Sequence, residues 1–124
     1  MKILTIEDSE FERKLIVNIL HKSGYDDVIE AADGEEGLRK YNDEKPDLIL
    51  LDLRMPGMSG MEVLQKINPT TAKVKVIVII VSIVRKKETI QEAMSLGAKD
   101  YIVKPIEEKK LMAAIQKVIE ENGV

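Results

Sequence analysis

The sequence contains no cysteine and no long hydrophobic run. The absence of cysteine excludes disulfide bonds, thiolate metal sites and cysteine nucleophiles. The longest apolar run, Val76–Val81, is much shorter than the stretch of about 20 residues that a membrane-spanning helix requires. The N-terminal segment becomes acidic at Glu7, so it lacks the apolar stretch of a secretory signal peptide. These absences predict a cytoplasmic protein without a membrane partner.

An excess of charge of one sign is also missing, since 19 basic residues stand against 22 acidic ones and the formal net charge is −3. Such a chain has no general attraction to nucleic acid or to an anionic membrane. Apolar residues, by contrast, make up 44% of the 124 residues, which is enough for one hydrophobic core. No repeat, low-complexity tract or linker divides the chain. We therefore predict a single domain over residues 1–124.

Short apolar runs alternate with segments of helical periodicity along the whole chain. The predicted strands are Lys2–Ile6, Val28–Ala31, Leu48–Leu51, Val76–Val81 and Tyr101–Val103. Three of them are almost continuous in isoleucine, leucine and valine, which is typical of parallel strands covered on both faces. Alternating strands and helices with short connections form right-handed crossovers. The predicted fold is therefore α/β, with a five-stranded parallel sheet, doubly wound as (βα)5 and flavodoxin-like.

The segments between the strands carry signals for the starts and ends of helices. Ser9 with Glu12 fits a capping box at the start of the first helix, and Gly24 fits its end. The fourth helix is predicted over roughly Lys86–Leu96 and the fifth after Pro105. In the first and fourth helices, periodicity predicts that the core is lined by Phe11, Leu15, Ile16, Ile19, Leu20, Ile90, Ala93 and Met94.

Polar residues that follow the predicted strands mark a candidate site. Ligands of such sheets bind beyond the carboxyl ends of the strands, where this chain has Glu7, Asp8, Asp52, Ser82 and Lys104. Two carboxylates about 4 Å apart repel by about 4 kcal/mol at an effective dielectric constant of about 20. A divalent cation relieves that repulsion, and Mg²⁺ suits a few carboxylates with water and a phosphate. With the added ammonium of Lys104, the pattern indicates phosphoryl chemistry.

These residues also carry a family resemblance. The succession of Glu7-Asp8, the segment Asp52-Leu53-Arg54-Met55-Pro56-Gly57, Ser82 and Lys104-Pro105 resembles the receiver domain of two-component response regulators. The resemblance covers essentially the whole chain, and the spacings are similar to those of single-domain, chemotaxis-type receivers. A chemotaxis member of this fold has the strand order 2-1-3-4-5, so the resemblance implies that order here. It also implies a cis peptide bond between Lys104 and Pro105.

The resemblance implies a role for each residue of the site. Asp52 would accept a phosphoryl group from the histidine of a sensor kinase or phosphotransfer protein. Asp8 and Asp52 would bind Mg²⁺ directly, with Glu7 acting through water and the backbone carbonyl of Arg54 as a further ligand. Such a protein would be a phosphoacceptor that at most catalyses its own phosphorylation and dephosphorylation.

The same resemblance implies a switch. Lys104 and Ser82 would bind phosphoryl oxygens, and movement of Ser82 would let Tyr101 rotate inward. This two-state equilibrium would change the surface formed by the fourth helix, the fifth strand and the fifth helix, and a downstream target protein would bind there. We expect a monomer in the unphosphorylated state.

Departures from the family pattern lie close to the predicted phosphoacceptor. Glu7 stands where aspartate is commoner in the family, and Arg54 and Val84 occupy positions that, in the family, tune the access of water to the acyl phosphate. Ile83 stands where the family usually has a small residue. We hypothesise that Ile83 narrows the approach to Asp52 and slows both phosphorylation by small donors and hydrolysis.

Two other functions fit part of the pattern. A pseudo-receiver would bind a partner without phosphorylation, although every pocket position holds a competent residue type. A phosphatase of the haloacid dehalogenase type also uses an aspartate, a hydroxyl, a lysine and an acidic pair. Its nucleophile, however, lies on the first strand and is followed two residues later by an acid. Here Asp52 comes after the acidic pair and is followed two residues later by Arg54, which disfavours the phosphatase.

Overall fold

The structure, a computed structural model, describes residues 1–123 and consists of five strands alternating with five helices. In chain order they are β1 (Ile3–Ile6), α1 (Glu10–Lys22), β2 (Val28–Ala31), α2 (Gly34–Glu44), β3 (Leu48–Leu51), α3 (Gly60–Ile67), β4 (Ile77–Ser82), α4 (Lys87–Ser95), β5 (Asp100–Val103) and α5 (Glu108–Asn122). The predicted strands and helices are all present; β2 and β3 have the predicted ends, and the ends of the other elements differ by at most three residues. Among the described residues, no helix is both long and apolar enough to span a membrane.

The strands form one parallel sheet in the order β2-β1-β3-β4-β5. This confirms the predicted α/β class and the order implied by the resemblance. Ile6, the last residue of β1, lies opposite Leu51, the last residue of β3. The segments that follow these two strands therefore leave the sheet side by side. The Asp52 N–H extends the pairing by donating to the Ile6 carbonyl at 3.1 Å.

The sheet separates two hydrophobic clusters. Alternate side chains of a strand point to opposite faces, and in β1 Ile3 contributes to one cluster while Leu4 and Ile6 contribute to the other. Helices α1 and α5 cover the first face, and α2, α3 and α4 contribute to the second. All residues of β1, β3 and β4 are buried. The nearly continuous apolar runs therefore reflect a sheet that is covered on both sides.

Two residues that periodicity placed in the core are exposed. Phe11 is 80% exposed and Met94 is 41% exposed. Phe11 lies nine residues before the buried Leu20, which at 3.6 residues per turn is about half a turn around the helix. Met94 follows Ala93, which is fully buried, and therefore points about 100° away from it. In both helices the contact with the sheet is narrower than the apolar pattern predicts.

Candidate functional site

The predicted site residues meet at one edge of the sheet. Glu7 and Asp8 follow β1, Asp52 follows β3, Ser82 is the last residue of β4, and Lys104 follows β5. The Lys104 N–H donates to the Ser82 carbonyl at 2.9 Å, which joins the ends of the last two strands. The peptide bond between Lys104 and Pro105 is cis, as the resemblance implies. The fold thus gathers residues that are far apart in the sequence.

Lys104 occupies the centre of this edge. Its Nζ lies 2.8 Å from Glu7 Oε1, 3.1 Å from Asp52 Oδ2 and 3.0 Å from Glu12 Oε2. A lysine ammonium has three donors and no acceptor; the contacts with Glu7 and Asp52 have hydrogen-bond geometry, and Glu12 adds an ion pair. Only 10% of the Lys104 side chain is exposed. The ammonium therefore acts as the cationic hub of a largely buried acidic pocket.

Three carboxylates lie close enough together to hold one metal ion. Glu7, Asp8 and Asp52 each present an oxygen, and these oxygens lie within 4.8 Å of one another. Glu7 and Asp52 are buried, while Asp8 is exposed to solvent. Hard oxygen donors with an open side are the ligands that Mg²⁺ prefers. The donor set therefore fits a magnesium site.

Burial and neighbouring charges shift the pKa values of Glu7 and Lys104. Burial raises the pKa of Glu7 to about 7, and the charge of Asp52 adds to the shift, against hydrogen bonds from Lys104 and the Ser9 N–H. Burial lowers the pKa of Lys104, but hydrogen bonds to Glu7 and Glu12 and the charge of Asp52 outweigh it and leave the pKa raised. The carboxylates thus keep Lys104 charged, while Glu7 becomes easier to protonate than an ordinary glutamate.

The carboxylate of Asp52 is fixed through both oxygens. Oδ2 contacts Lys104, and Oδ1 accepts the Arg54 N–H at 3.2 Å. The start of α3 approaches the backbone of the same turn, because the Gly60 N–H donates to the Leu53 carbonyl at 2.9 Å. A Cβ at Gly60 would lie 2.6 Å from Leu53 Cα and closer still to the Asp52 carbonyl oxygen. Glycine is therefore required where α3 meets this turn.

Ser82 and Tyr101 are linked through the backbone of Val84. The Ser82 hydroxyl accepts the Val84 N–H at 3.3 Å, and the Tyr101 hydroxyl donates to the Val84 carbonyl at 2.7 Å. Burial raises the pKa of the Tyr101 phenol, with the Ser82 hydroxyl opposing the shift and the charge of Asp52 adding to it. Tyr101 packs against the second hydrophobic cluster. Its ring is therefore partly buried in this structure.

Glu12 is the site residue that the sequence interpretation missed. The predicted capping box is only half formed: the Ser9 hydroxyl accepts the Glu12 N–H at 3.2 Å, but the Ser9 N–H donates to Glu7 Oε2 at 3.1 Å. The Glu12 carboxylate is thereby released from its capping role and contacts Lys104 instead. The prediction of a reciprocal box at Ser9 was wrong because a tertiary partner competes for Glu12. No local sequence signal identifies that partner.

Ile83 lies beside the pocket rather than inside it. Its side chain is 59% exposed and lines a groove of about 770 Å³ together with Leu53 and Arg54, which directly follow Asp52. The groove is open to solvent and continues toward Lys86, the residue before α4. Restriction of access to Asp52 by the Ile83 side chain therefore stays a prediction.

Comparison with known proteins identifies the family of this arrangement. Residues 3–116 match the response regulator receiver domain. The chain belongs to this family. It is 37% identical over 117 residues to the chemotaxis protein CheY of Listeria monocytogenes, covering 94% of this chain and 97% of that protein. It is 35% identical over 118 residues to CheY of Bacillus subtilis, with coverage of 95% and 97%.

A solved structure supports the same assignment. A chain in the crystal structure of the CheX-CheY-BeF3-Mg complex from Borrelia burgdorferi matches with a TM-score of 0.90 and 30% identity, covering 96% of this chain and 89% of that chain. The protein is thus a receiver domain of the CheY type, a phosphorylation-dependent signalling switch. Receiver domains are phosphoacceptors rather than conventional enzymes, which favours the receiver interpretation over the phosphatase alternative.

Proposed function

We propose that Asp52 accepts a phosphoryl group with the help of Mg²⁺. The observation that carries this proposal is the shared ammonium: Lys104 Nζ contacts both Asp52 and Glu7 in a pocket where three carboxylates lie within 4.8 Å. A bound cation would neutralise the excess negative charge of the three carboxylates, and the Lys104 ammonium can contact an anionic phosphoryl group. Lys104 and the Arg54 N–H hold the Asp52 carboxylate in place, and the family resemblance assigns this aspartate as the phosphoacceptor.

The ligands proposed for the ion follow the family resemblance, and the three clustered carboxylates are consistent with them. Asp8 and Asp52 would bind Mg²⁺ directly, Glu7 would bind it through water, and the backbone carbonyl of Arg54 would complete the protein contribution. Water-mediated binding tolerates the longer glutamate side chain at Glu7. When bound, the ion neutralises negative charge on the carboxylates and on the phosphoryl oxygens. A similar chain occurs in a complex with BeF3 and Mg.

The phosphodonor is the phosphohistidine of a sensor kinase or of a phosphotransfer protein. An oxygen of Asp52 attacks phosphorus, the phosphorus–nitrogen bond breaks, and the electron pair returns to the imidazole nitrogen. The product is an aspartyl phosphate. Lys104 contacts one phosphoryl oxygen, and the Ser82 hydroxyl donates to another. Both contacts offset the negative charge that the buried edge of the sheet acquires.

The readout is a change at the surface formed by α4, β5 and α5. When Ser82 turns toward the phosphoryl group, the Val84 N–H loses its acceptor, and Val84 also holds the Tyr101 hydroxyl. Phosphorylation therefore shifts the conformational equilibrium of the segment around Val84, which positions Tyr101. A downstream target protein binds the conformation of the α4, β5 and α5 surface that phosphorylation favours. The unphosphorylated protein is proposed to be a monomer.

Intact-protein mass spectrometry tests the assignment. The chain is incubated with Mg²⁺ and acetyl phosphate, or with a phosphorylated histidine-containing donor, beside Asp52→Asn. We expect one phosphoryl group on the wild-type chain and none on the variant. Phosphorylation of Asp52→Asn to the same extent would place the phosphoryl group elsewhere. A chain that binds Mg²⁺ but takes up no phosphoryl group from any donor would be a pseudo-receiver.

A further inference from the structure

Glu12 holds a position in the pocket that the proposed chemistry does not use. It lies in the first turn of α1, where its backbone N–H is capped by the Ser9 hydroxyl. Its carboxylate contacts Lys104 Nζ at 3.0 Å, and 32% of its side chain is exposed, whereas the other two partners of the ammonium are buried. Glu12 is therefore the solvent-facing member of the three carboxylates around Lys104.

Phosphorylation changes what this ammonium must bind. The ammonium contacts three carboxylates at 2.8–3.1 Å, so a phosphoryl oxygen would compete with them for its three donors. Glu7 is buried and is assigned to the metal through water, and Asp52 carries the phosphoryl group. Glu12 is the partner that water can solvate most readily once it is released, because its side chain already reaches the surface.

We propose that Glu12 is a positioning residue of the phosphorylation site: it binds the Lys104 ammonium in the unphosphorylated protein and releases it to the phosphoryl group. This inference rests on the proposed function of Asp52. In the resting state the contact helps to keep Lys104 in the pocket and partly neutralises it. In the phosphorylated state the Glu12 charge lies close to the anionic group and disfavours it. Glu12 therefore stabilises the unphosphorylated state relative to the phosphorylated one.

The expected effect of Glu12→Gln on phosphorylation follows from the contacts that Lys104 keeps in the variant. When Glu12 is replaced by glutamine, Lys104 still contacts Glu7 and Asp52, so the ammonium stays in the pocket. The variant loses the competing charge and the repulsion of the incoming anion. Glu12→Gln is therefore expected to favour the phosphorylated state. The size expected for a partly exposed ion pair is about fivefold in an equilibrium constant.

The experiment measures binding of beryllofluoride, which mimics a phosphoryl group on a carboxylate, in the presence of Mg²⁺. Glu10→Gln is the matched control, because Glu10 lies in the same first turn, is exposed, and makes no ion pair within residues 1–123. We expect Glu12→Gln to bind beryllofluoride about fivefold more tightly than the wild-type chain, and Glu10→Gln to match the wild-type chain. Equal affinity in Glu12→Gln and Glu10→Gln, or weaker binding in Glu12→Gln, would overturn the proposal.

The Lys104 ammonium resonance in ¹⁵N-labelled protein provides a second readout that general destabilisation would not move. Without ligand, the resonance should differ between Glu12→Gln and the wild-type chain. With beryllofluoride bound, the difference should disappear, because Lys104 has left Glu12. A difference that persists with ligand would show that the contact does not break. If the wild-type chain bound no beryllofluoride at all, the proposed function would fail as well; if it bound and Glu12→Gln were no tighter, only this inference would fail.

Discussion

The middle of the sheet and its carboxyl edge bury side chains of opposite character. In β3 and β4 almost every buried side chain is aliphatic, so burial is favourable at about 25 cal/mol for each Å² removed from water. Directly after β1 and β3, the chain buries Glu7 and Asp52 around a single ammonium. Burying charge is costly, even when it is paired. Burial of aliphatic side chains in the interior thus stabilises the fold, and this stability offsets the cost of burying charged side chains at the edge.

A truncation in the interior should have the largest effect on stability. Leu50 is 1% exposed in the middle of β3 and packs in the cluster below α1 and α5. We expect Leu50→Ala to lower the free energy of unfolding by about 3 kcal/mol through lost burial and a residual cavity. Urea denaturation measures the change. Met94→Ala, at a 41% exposed position, is the control, and a similar loss there would contradict the assignment of the core.

A substitution at the boundary between the two regions should have a smaller effect. Gly60→Ala places a Cβ against the backbone of the turn that carries Asp52. Overpacking of this kind costs about 2 kcal/mol, and the turn must shift to accommodate it. We therefore expect a lower urea midpoint together with weaker beryllofluoride binding. Gly24→Ala is the control: Gly24 has φ +96°, so a side chain strains the backbone there, but no atom lies within 4 Å of the added Cβ. It should lower the urea midpoint and leave beryllofluoride binding unchanged.

Removal of a charge at the edge should change stability in the opposite direction. Glu7→Gln is expected to raise the free energy of unfolding without Mg²⁺ by about 1 kcal/mol near pH 8. The folded-state pKa of Glu7 is raised to about 7, so the wild-type chain takes up a proton there as the pH falls. Between that value and the ordinary glutamate range the folded state binds more protons than the unfolded state, and wild-type stability rises as the pH falls.

The advantage of Glu7→Gln should therefore shrink as the pH is lowered from about 8 to about 5. Urea unfolding at several pH values, with EDTA present, measures this dependence. Glu10→Gln, which removes an exposed charge, should show no such trend. A Glu7→Gln variant that is less stable than the wild-type chain at every pH would mean that the contact with Lys104 outweighs the cost of burying the carboxylate.

A substitution beside the pocket, Ile83→Ala, should have the smallest effect on stability but should change the rates of phosphorylation and dephosphorylation. Ile83 is 59% exposed, so Ile83→Ala should change stability by less than about 0.5 kcal/mol. If its side chain restricts access to Asp52, phosphorylation by acetyl phosphate and loss of the phosphoryl group should both accelerate by about threefold. Time courses of the phosphorylated mass measure both rates. Unchanged rates would leave the groove without a role in access.

The sequence predicts the fold and most of the pocket because both follow from local rules. A sheet covered on both faces requires continuous apolar strands, which are visible in runs such as Val76–Val81. Parallel strands end at the same edge, so residues directly after them converge. The structure brings Glu7, Asp52 and Lys104 into contact accordingly.

The remaining features depend on tertiary contacts that no local pattern encodes. The Glu12 side chain could cap Ser9 or bind Lys104, and only the position of this lysine, directly after the last strand, decides between them. The exposure of Phe11 depends on how α1 is rotated against the sheet, which its periodicity fixes only approximately. The link from Ser82 to Tyr101 passes through the backbone of Val84, which carries no side-chain signal.

The stabilising effect of ligands on the wild-type chain tests the central claim most directly. If the edge is a magnesium and phosphoryl site, Mg²⁺ should raise the urea midpoint, and beryllofluoride added with Mg²⁺ should raise it further, since each binds the folded state. In Asp52→Asn the further increase from beryllofluoride should be absent. A wild-type midpoint that is the same with Mg²⁺, with Mg²⁺ and beryllofluoride, and with EDTA would contradict the claim.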